Sequence, residues 1–206
     1  NGGLKSNSMG GLSGKKGNLL EGGIRVPAIL EWPAKIPEPR TSSAPCNTSD
    51  FYPTLLELAG VPLSKGQPPL DGISLVPLIE GKTDIRKKAM GFWDFPAPGR
   101  SRRARAMLES LRKEQQAGEV KPAQKEGHVE KQYSTKSFPG SVAWIDGDWK
   151  LLRSKGPPKL FNLSKDSAEK NDMAGKHPEK VADMQKALLT WQKSVTHSLN
   201  GEDYKK

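Results

Sequence analysis

Lys15-Lys16-Gly17-Asn18-Leu19-Leu20-Glu21-Gly22-Gly23-Ile24-Arg25-Val26-Pro27 is the stretch on which the reading of the chain turns. A lysine pair closes a polar, glycine-rich run, and Glu-Gly-Gly follows before an arginine and an apolar segment. Glycine lets backbone pass where a Cβ would clash, or take φ > 0. Glu21-Gly22-Gly23 is therefore expected to form a tight turn that holds the lysine loop. Residues 24–32 predict a short strand, which Pro27 confines to a sheet end or edge. A cation brought by a loop to the rim of a sheet is a common way to build an anion site. Taken alone, a lysine pair in a polar run is ordinary surface charge.

The spacing K-G-x-x-x-E-G-G-x-R-x-P closely resembles a signature of the type I sulfatases, within the alkaline-phosphatase-like superfamily. The resemblance assigns Lys16 to the sulfate group of the substrate. Its neighbour Lys15 is chemically identical but does not fit the spacing to Glu-Gly-Gly. Asn1-Gly2-Gly3 looks like the tail of the family's Asp-Asn-Gly motif, which makes Asn1 a calcium ligand by resemblance. Leu20 departs from the pattern, standing where the family usually has an aromatic residue.

Outward from this stretch, residues 33–45 are proline-rich and read as loop. Thr48 or Ser49 can cap a helix over residues 50–59, with Pro53 in its first turn and Gly60 just past its end. Tyr52, Leu55, Leu56 and Ala59 would form its buried face. This helix resembles the sulfatase D-x-x-P-T-L-L-x-L-A-G stretch, and residues 71–78 resemble the family's D-G-x-S-L-x-P-L. Residues 89–95 read as a strand. Residues 100–119 read as an amphipathic helix with Ala104, Met107, Leu108 and Leu111 on one stripe, lying on the domain. Residues 117–137 read as a long loop.

Two apolar runs, 141–145 and 149–153, flank Asp146-Gly147-Asp148, a strong hairpin signal. Residues 159–163 supply a third strand and Ser164-Lys165-Asp166 a turn. Trp144 and Trp149 read as core aromatics of a small sheet in preference to a sugar-stacking platform. Pro178 opens a last helix whose Val181, Met184, Leu188, Trp191 and Val195 form one stripe, and Asn200-Gly201 can stop it. Hairpin, third strand and helix together resemble the small C-terminal subdomain of sulfatases.

The chain has 206 residues with 34% hydrophobic content, and its mean hydropathy is −0.67. No apolar run approaches the ~20 residues of a membrane helix, so no membrane span is expected. The net charge is +10, which suggests a polyanionic partner. Half of the excess lies in residues 100–136, with ten Lys/Arg against five Glu. The interleaved glutamates and the scarcity of aromatics argue against nucleic acid as that partner. Cys46 is alone, and His128, His177 and His197 lack metal-ligand spacing, so each histidine reads as structural or solvated.

The resemblance implies an α/β fold: the end of a sulfatase catalytic domain over residues 1–82, then a C-terminal subdomain over residues 83–206 with an antiparallel sheet and a terminal helix. It implies hydrolysis of sulfate esters of a small molecule or glycan, with calcium and a formylglycine nucleophile. The family makes formylglycine within C/S-x-P/A-x-R, and no stretch here matches, Cys46-Asn47-Thr48-Ser49-Asp50 included. The nucleophile is therefore expected upstream, on a missing N-terminal part, with this chain inactive alone. Family resemblance places such enzymes in periplasmic, secreted or lysosomal settings. The rival readings are a phosphodiesterase or phosphonate hydrolase of the same superfamily, and a non-enzymatic polyanion-binding module.

Overall fold

The hairpin written in Asp146-Gly147 is the centre of a four-stranded sheet. The computed structural model describes residues 9–95, 100–118 and 133–204. Strands β1 (Met90–Asp94), β2 (Ser141–Asp146), β3 (Trp149–Arg153) and β4 (Lys159–Asn162) lie in the order β1-β2-β3-β4. β2 and β3 are antiparallel, with Asp146 opposite Trp149, so Gly147-Asp148 is a two-residue loop. β4 pairs antiparallel with β3, Leu151 opposite Leu160. The other side of β4 is partly satisfied: Met173 N–H donates to the Leu160 carbonyl at 2.7 Å, and Leu160 N–H to Asp172 Oδ1 at 3.1 Å.

Both faces of the sheet are covered, as its central strands require. On one face Val142, Trp144, Leu151 and Leu160 pack with Met184 and Leu188 of the last helix, α5 (Pro178–Leu199). Trp191, also on α5, stacks at a tilt on Trp93 and Trp144, with centroids 6.3 and 5.9 Å away. The stripe read from Val181 to Trp191 thus packs as expected, with proline at the helix start. On the opposite face Ala143, Leu152 and Phe161 are covered by Leu19, Leu20, Phe92 and Leu163. The lysine stretch therefore lies on the sheet's second face, over its hairpin. Lys165 and Asp166 N–H groups donate to the Asn162 carbonyl, forming the turn expected after β4.

Upstream elements are short: α1 (Glu21–Ile24), α2 (Phe51–Leu58) and α3 (Val76–Ile79). A 3-10 turn over Thr48–Asp50 leads into α2, and its cap is Asn47, not Thr48 or Ser49. Asn47 Oδ1 accepts from Ser49 N–H while Asp50 returns a bond to Asn47 N–H, a reciprocal capping box. Pro53 does fall in the first turn of α2.

Three expectations are corrected. Residues 25–32 form no strand: α1 ends at Ile24, and Val26, Ile29 and Leu30 are exposed, Ile29 by 97%. Among the described residues no strand runs beside them to complete a ladder. The expected buried face of α2 is not buried, because Tyr52 and Leu55 are 49% and 64% exposed and only Thr54 is fully covered. The amphipathic helix exists as α4 (Arg100–Ala117), yet Leu108 and Leu111 face solvent. The Ala104 and Met107 side chains and residues 119–132 of the expected long loop lie outside those described.

Two compact units result. One comprises Asn1–Trp93 with Ser141–Trp191; the other comprises Asp94–Gly140 with Gln192–Lys206. Within the second, Asn200 clamps the Tyr133 backbone on both sides: its Oδ1 accepts from Tyr133 N–H at 2.7 Å and its Nδ2 donates to the Tyr133 carbonyl at 3.0 Å. No described helix is long and apolar enough to cross a membrane.

Candidate functional site

Lys16 sits on a tight turn. Asn18 N–H donates to the Lys15 carbonyl at 2.9 Å, and Asn18 Oδ1 accepts from Lys15 N–H at 3.1 Å. Between them Gly17 takes φ +91, a backbone region that favours glycine in the third position of a turn. Both Lys15 and Lys16 are exposed. The turn thus presents a flexible cation from a hydrogen-bonded base.

The tight turn expected at Glu21-Gly22-Gly23 is one turn of helix, α1. The glycines matter through close approach. A Cβ on Gly22 would lie 2.6 Å from the Ser13 carbonyl oxygen and 2.8 Å from that of Gly14. One on Gly23 would meet the Asn18 carbonyl oxygen and lie 2.6 Å from that of Lys15. Gly22 N–H also donates to the Ser13 carbonyl at 2.7 Å. The lysine turn is laid directly on the α1 backbone, and only the missing side chains allow it.

Beneath α1 is a buried ion cluster. Lys150, on β3, is 0% exposed, and its Nζ lies 2.9 Å from Glu21 Oε1 and 2.8 Å from Glu169 Oε1. The first is a hydrogen bond; the second is an ion contact outside hydrogen-bond geometry. Glu169 Oε2 accepts from Glu21 N–H at 2.6 Å, and Arg25 reaches Glu21 Oε2 only at 4.0 Å. One residue before Glu169, the Ala168 carbonyl accepts from Ser13 Oγ. Burial pushes the Glu169 carboxyl above the usual range; the Lys150 ammonium and the Glu21 N–H pull the other way, and the Glu21 charge adds to the rise.

A second buried pair stands behind α2. Arg86 grips Asp50 with both terminal nitrogens, at 2.7 and 3.0 Å, and Asp50 also accepts from the Asn47 and Ile73 N–H groups. Burial would raise this carboxyl, but the guanidinium and the two amides together hold it below its usual value. Thr54 Oγ1 bridges the Asp50 carbonyl and Leu75 N–H. This cluster ties α2 to the segment leading into α3, and every polar atom of its carboxylate is engaged in that task.

Asn1, the expected metal ligand, and His128 lie outside the described residues. His177 stacks edge-on against Trp149, with centroids 5.0 Å apart. His197 Nδ1 lies 2.6 Å from Glu202. Cys46 is exposed and free. Trp144 is a core residue, as expected. Among the described residues no group of three or more His, Cys, Asp or Glu could hold a metal ion. The cluster of Glu21, Lys150 and Glu169 was not read from the sequence. Glu21 lay in the signature as a spacing mark. Lys150 stands in Trp149-Lys150-Leu151-Leu152-Arg153, where no local signal marks a buried lysine.

The family described as N-sulphoglucosamine sulphohydrolase, C-terminal, matches residues 14–113. Human steryl-sulfatase is 42% identical over 80 residues, covering 39% of this chain and 14% of that protein. Human arylsulfatase A is 30% identical over 172 residues, covering 82% of this chain and 30% of that protein. The fold matches that of Ps i-CgsB, solved in complex with k-i-k-neocarrahexaose, with a TM-score of 0.61 at 22% identity, over 92% of this chain and 36% of that one. The chain thus spans less than a third of the length of these two relatives. In sequence it resembles the C-terminal part of the sulfatases.

Proposed function

We propose that this relative of the sulfatases, similar to their C-terminal part, belongs to a sulfuric ester hydrolase and gives it the lysine that contacts the substrate sulfate. The observation that supports this reading is the base beneath Lys16: an exposed ammonium on a turn packed against two glycines and pinned to the sheet. Lysine is a compact point charge with three donors, suited to a tetrahedral oxyanion. Sulfate ester cleavage develops charge on the attacking and leaving oxygens, and a preorganised cation counters it without reorganising at the moment of reaction.

The remaining equipment belongs to the rest of the enzyme. This sequence holds no formylglycine motif, and the relatives are more than three times as long as their matched segments. Calcium, if Asn1 is its ligand, gains one oxygen donor from this chain; when bound it would counter charge on the sulfate oxygens. We extend the reading to a sulfated sugar as substrate, because the fold is shared with a protein solved with a carrageenan-type oligosaccharide. The division at residues 1–82 and 83–206 is part of the same proposal. The described surface fits a partner polypeptide as well, since the apolar side chains of α2 and of residues 25–32 stand uncovered.

The test is turnover of an aryl sulfate ester by the intact enzyme carrying Lys16→Ala or Lys15→Ala. Removing Lys16 should lower the rate about a hundredfold to a thousandfold, the size of losing one charge-stabilising contact. Lys15→Ala should stay near the wild-type rate. Equal rates for both would remove Lys16 from the site. Faster cleavage of a phosphodiester or phosphonate than of the sulfate would replace the reaction assigned here.

A further inference from the structure

We propose that Lys150 and Glu169 are positioning residues for Lys16: with Glu21 they form a buried ionic lock that fixes the lysine turn over the sheet. The inference rests on the sulfate-binding reading of Lys16 and goes beyond it. The connections are continuous. Lys150 is held in the β3 ladder, between Trp149 and Leu151. Its Nζ reaches Glu21, the first residue of α1, and Glu169, beyond β4. Glu169 closes the triangle by accepting the Glu21 N–H. Four further contacts run to the turn. Ser13 Oγ donates to the Ala168 carbonyl, Gly22 N–H donates to the Ser13 carbonyl, and the Lys15 and Asn18 carbonyls press on Gly23.

Two features separate this cluster from an ordinary stabilising contact. It holds two carboxylates against one fully buried ammonium, with Arg25 only at its edge. Buried ion groups of this kind are often no better for stability than well-packed apolar residues, and their best-attested use is to fix one arrangement. In addition, Glu169 adopts φ +54, alone among the described non-glycine residues. A glutamate in that region is uncommon, and the backbone is held there while the side chain reaches both Lys150 and Glu21. What is fixed is the base of a glycine-rich loop that would otherwise sample many conformations. A catalytic group needs its support locked by packing and hydrogen bonds at the back.

The experiment is amide hydrogen exchange on the intact enzyme, wild type against Glu169→Ala and Glu169→Gln, paired with turnover of an aryl sulfate ester. Glu169→Ala should speed exchange at Asn18 and Gly22 at least tenfold while Leu151 and Leu152 keep wild-type protection. Glu169→Gln keeps an acceptor for the Glu21 N–H and should restore most of that protection. kcat should fall about tenfold to a hundredfold in Glu169→Ala, as for a displaced catalytic group. It should fall little further when Lys16→Ala is added, because both changes act through one group. Ser13→Ala removes only the hydroxyl link to Ala168 and gives the same local readout if Glu169→Ala does not fold. Unchanged exchange at Asn18 and Gly22, or loss spread evenly through β3, would overturn the lock. A wild-type enzyme without sulfate-ester turnover would remove the sulfatase reading, while the exchange pattern would still decide the lock.

Discussion

Gly23 packs so close to the carbonyl oxygens of Lys15 and Asn18 that a methyl group cannot enter without moving the lysine turn. Gly23→Ala should therefore cost about 1–3 kcal/mol, the usual size of overpacking, read in denaturant unfolding. Gly66→Ala, in open space, should change the melting temperature little. The two buried carboxylates respond to pH with opposite sign. Asp50 is held below the ordinary carboxylate value of 3.8, so its stabilisation is complete above that value and is lost as pH falls through the lower folded one. Glu169 is raised above 4.5, so between 4.5 and its folded value the native state keeps a proton that the unfolded chain has lost. Its contribution is present below 4.5 and declines as pH rises through the folded value. Thermal melts from acid to neutral pH should show Asp50→Asn flattening the acid limb and Glu169→Gln flattening the decline above it.

At the scale of elements, α5 and α2 carry similar apolar patterns and meet different fates. Leu188 of α5 is 1% exposed against the sheet, so Leu188→Ala should cost about 2–5 kcal/mol in denaturant unfolding. Leu55 of α2 is 64% exposed, so Leu55→Ser in this chain should stay within about 0.5 kcal/mol. If the uncovered face of α2 packs on the remainder of the enzyme, the same change in the intact protein should cost on the order of 2 kcal/mol or more. Equal costs in both settings would leave that face a solvent-exposed surface. The hairpin was legible because Asp-Gly and the flanking alternation are local signals. The failed strand at residues 25–32 was not, because strand pairing depends on a neighbour that no short window of sequence contains.

For the whole molecule, the missing nucleophile predicts that these 206 residues alone turn over no sulfate ester, with Lys16 intact or replaced. The assay is release of an aryl alcohol by the isolated chain, and metal-dependent hydrolysis there would refute the assignment. The same chain should bind a hydrophobic dye through Ile29, Phe51, Leu55 and Leu63, all more than half exposed. By itself the sequence determined the resemblance to sulfatases, the hairpin with its third strand, and the apolar stripe of α5, and its spacing is the ground for proposing Lys16 over Lys15. These rest on spacing, turn chemistry and periodicity, which act over a few residues. Only the tertiary structure decided that Glu21-Gly22-Gly23 is a helical turn cut to fit a passing backbone, and that Lys150 is buried between Glu21 and Glu169. The reason is distance along the chain. Glu21 lies 129 residues from Lys150 and 148 from Glu169, and a lysine's alternation along a strand says which face it takes but not what folds over that face.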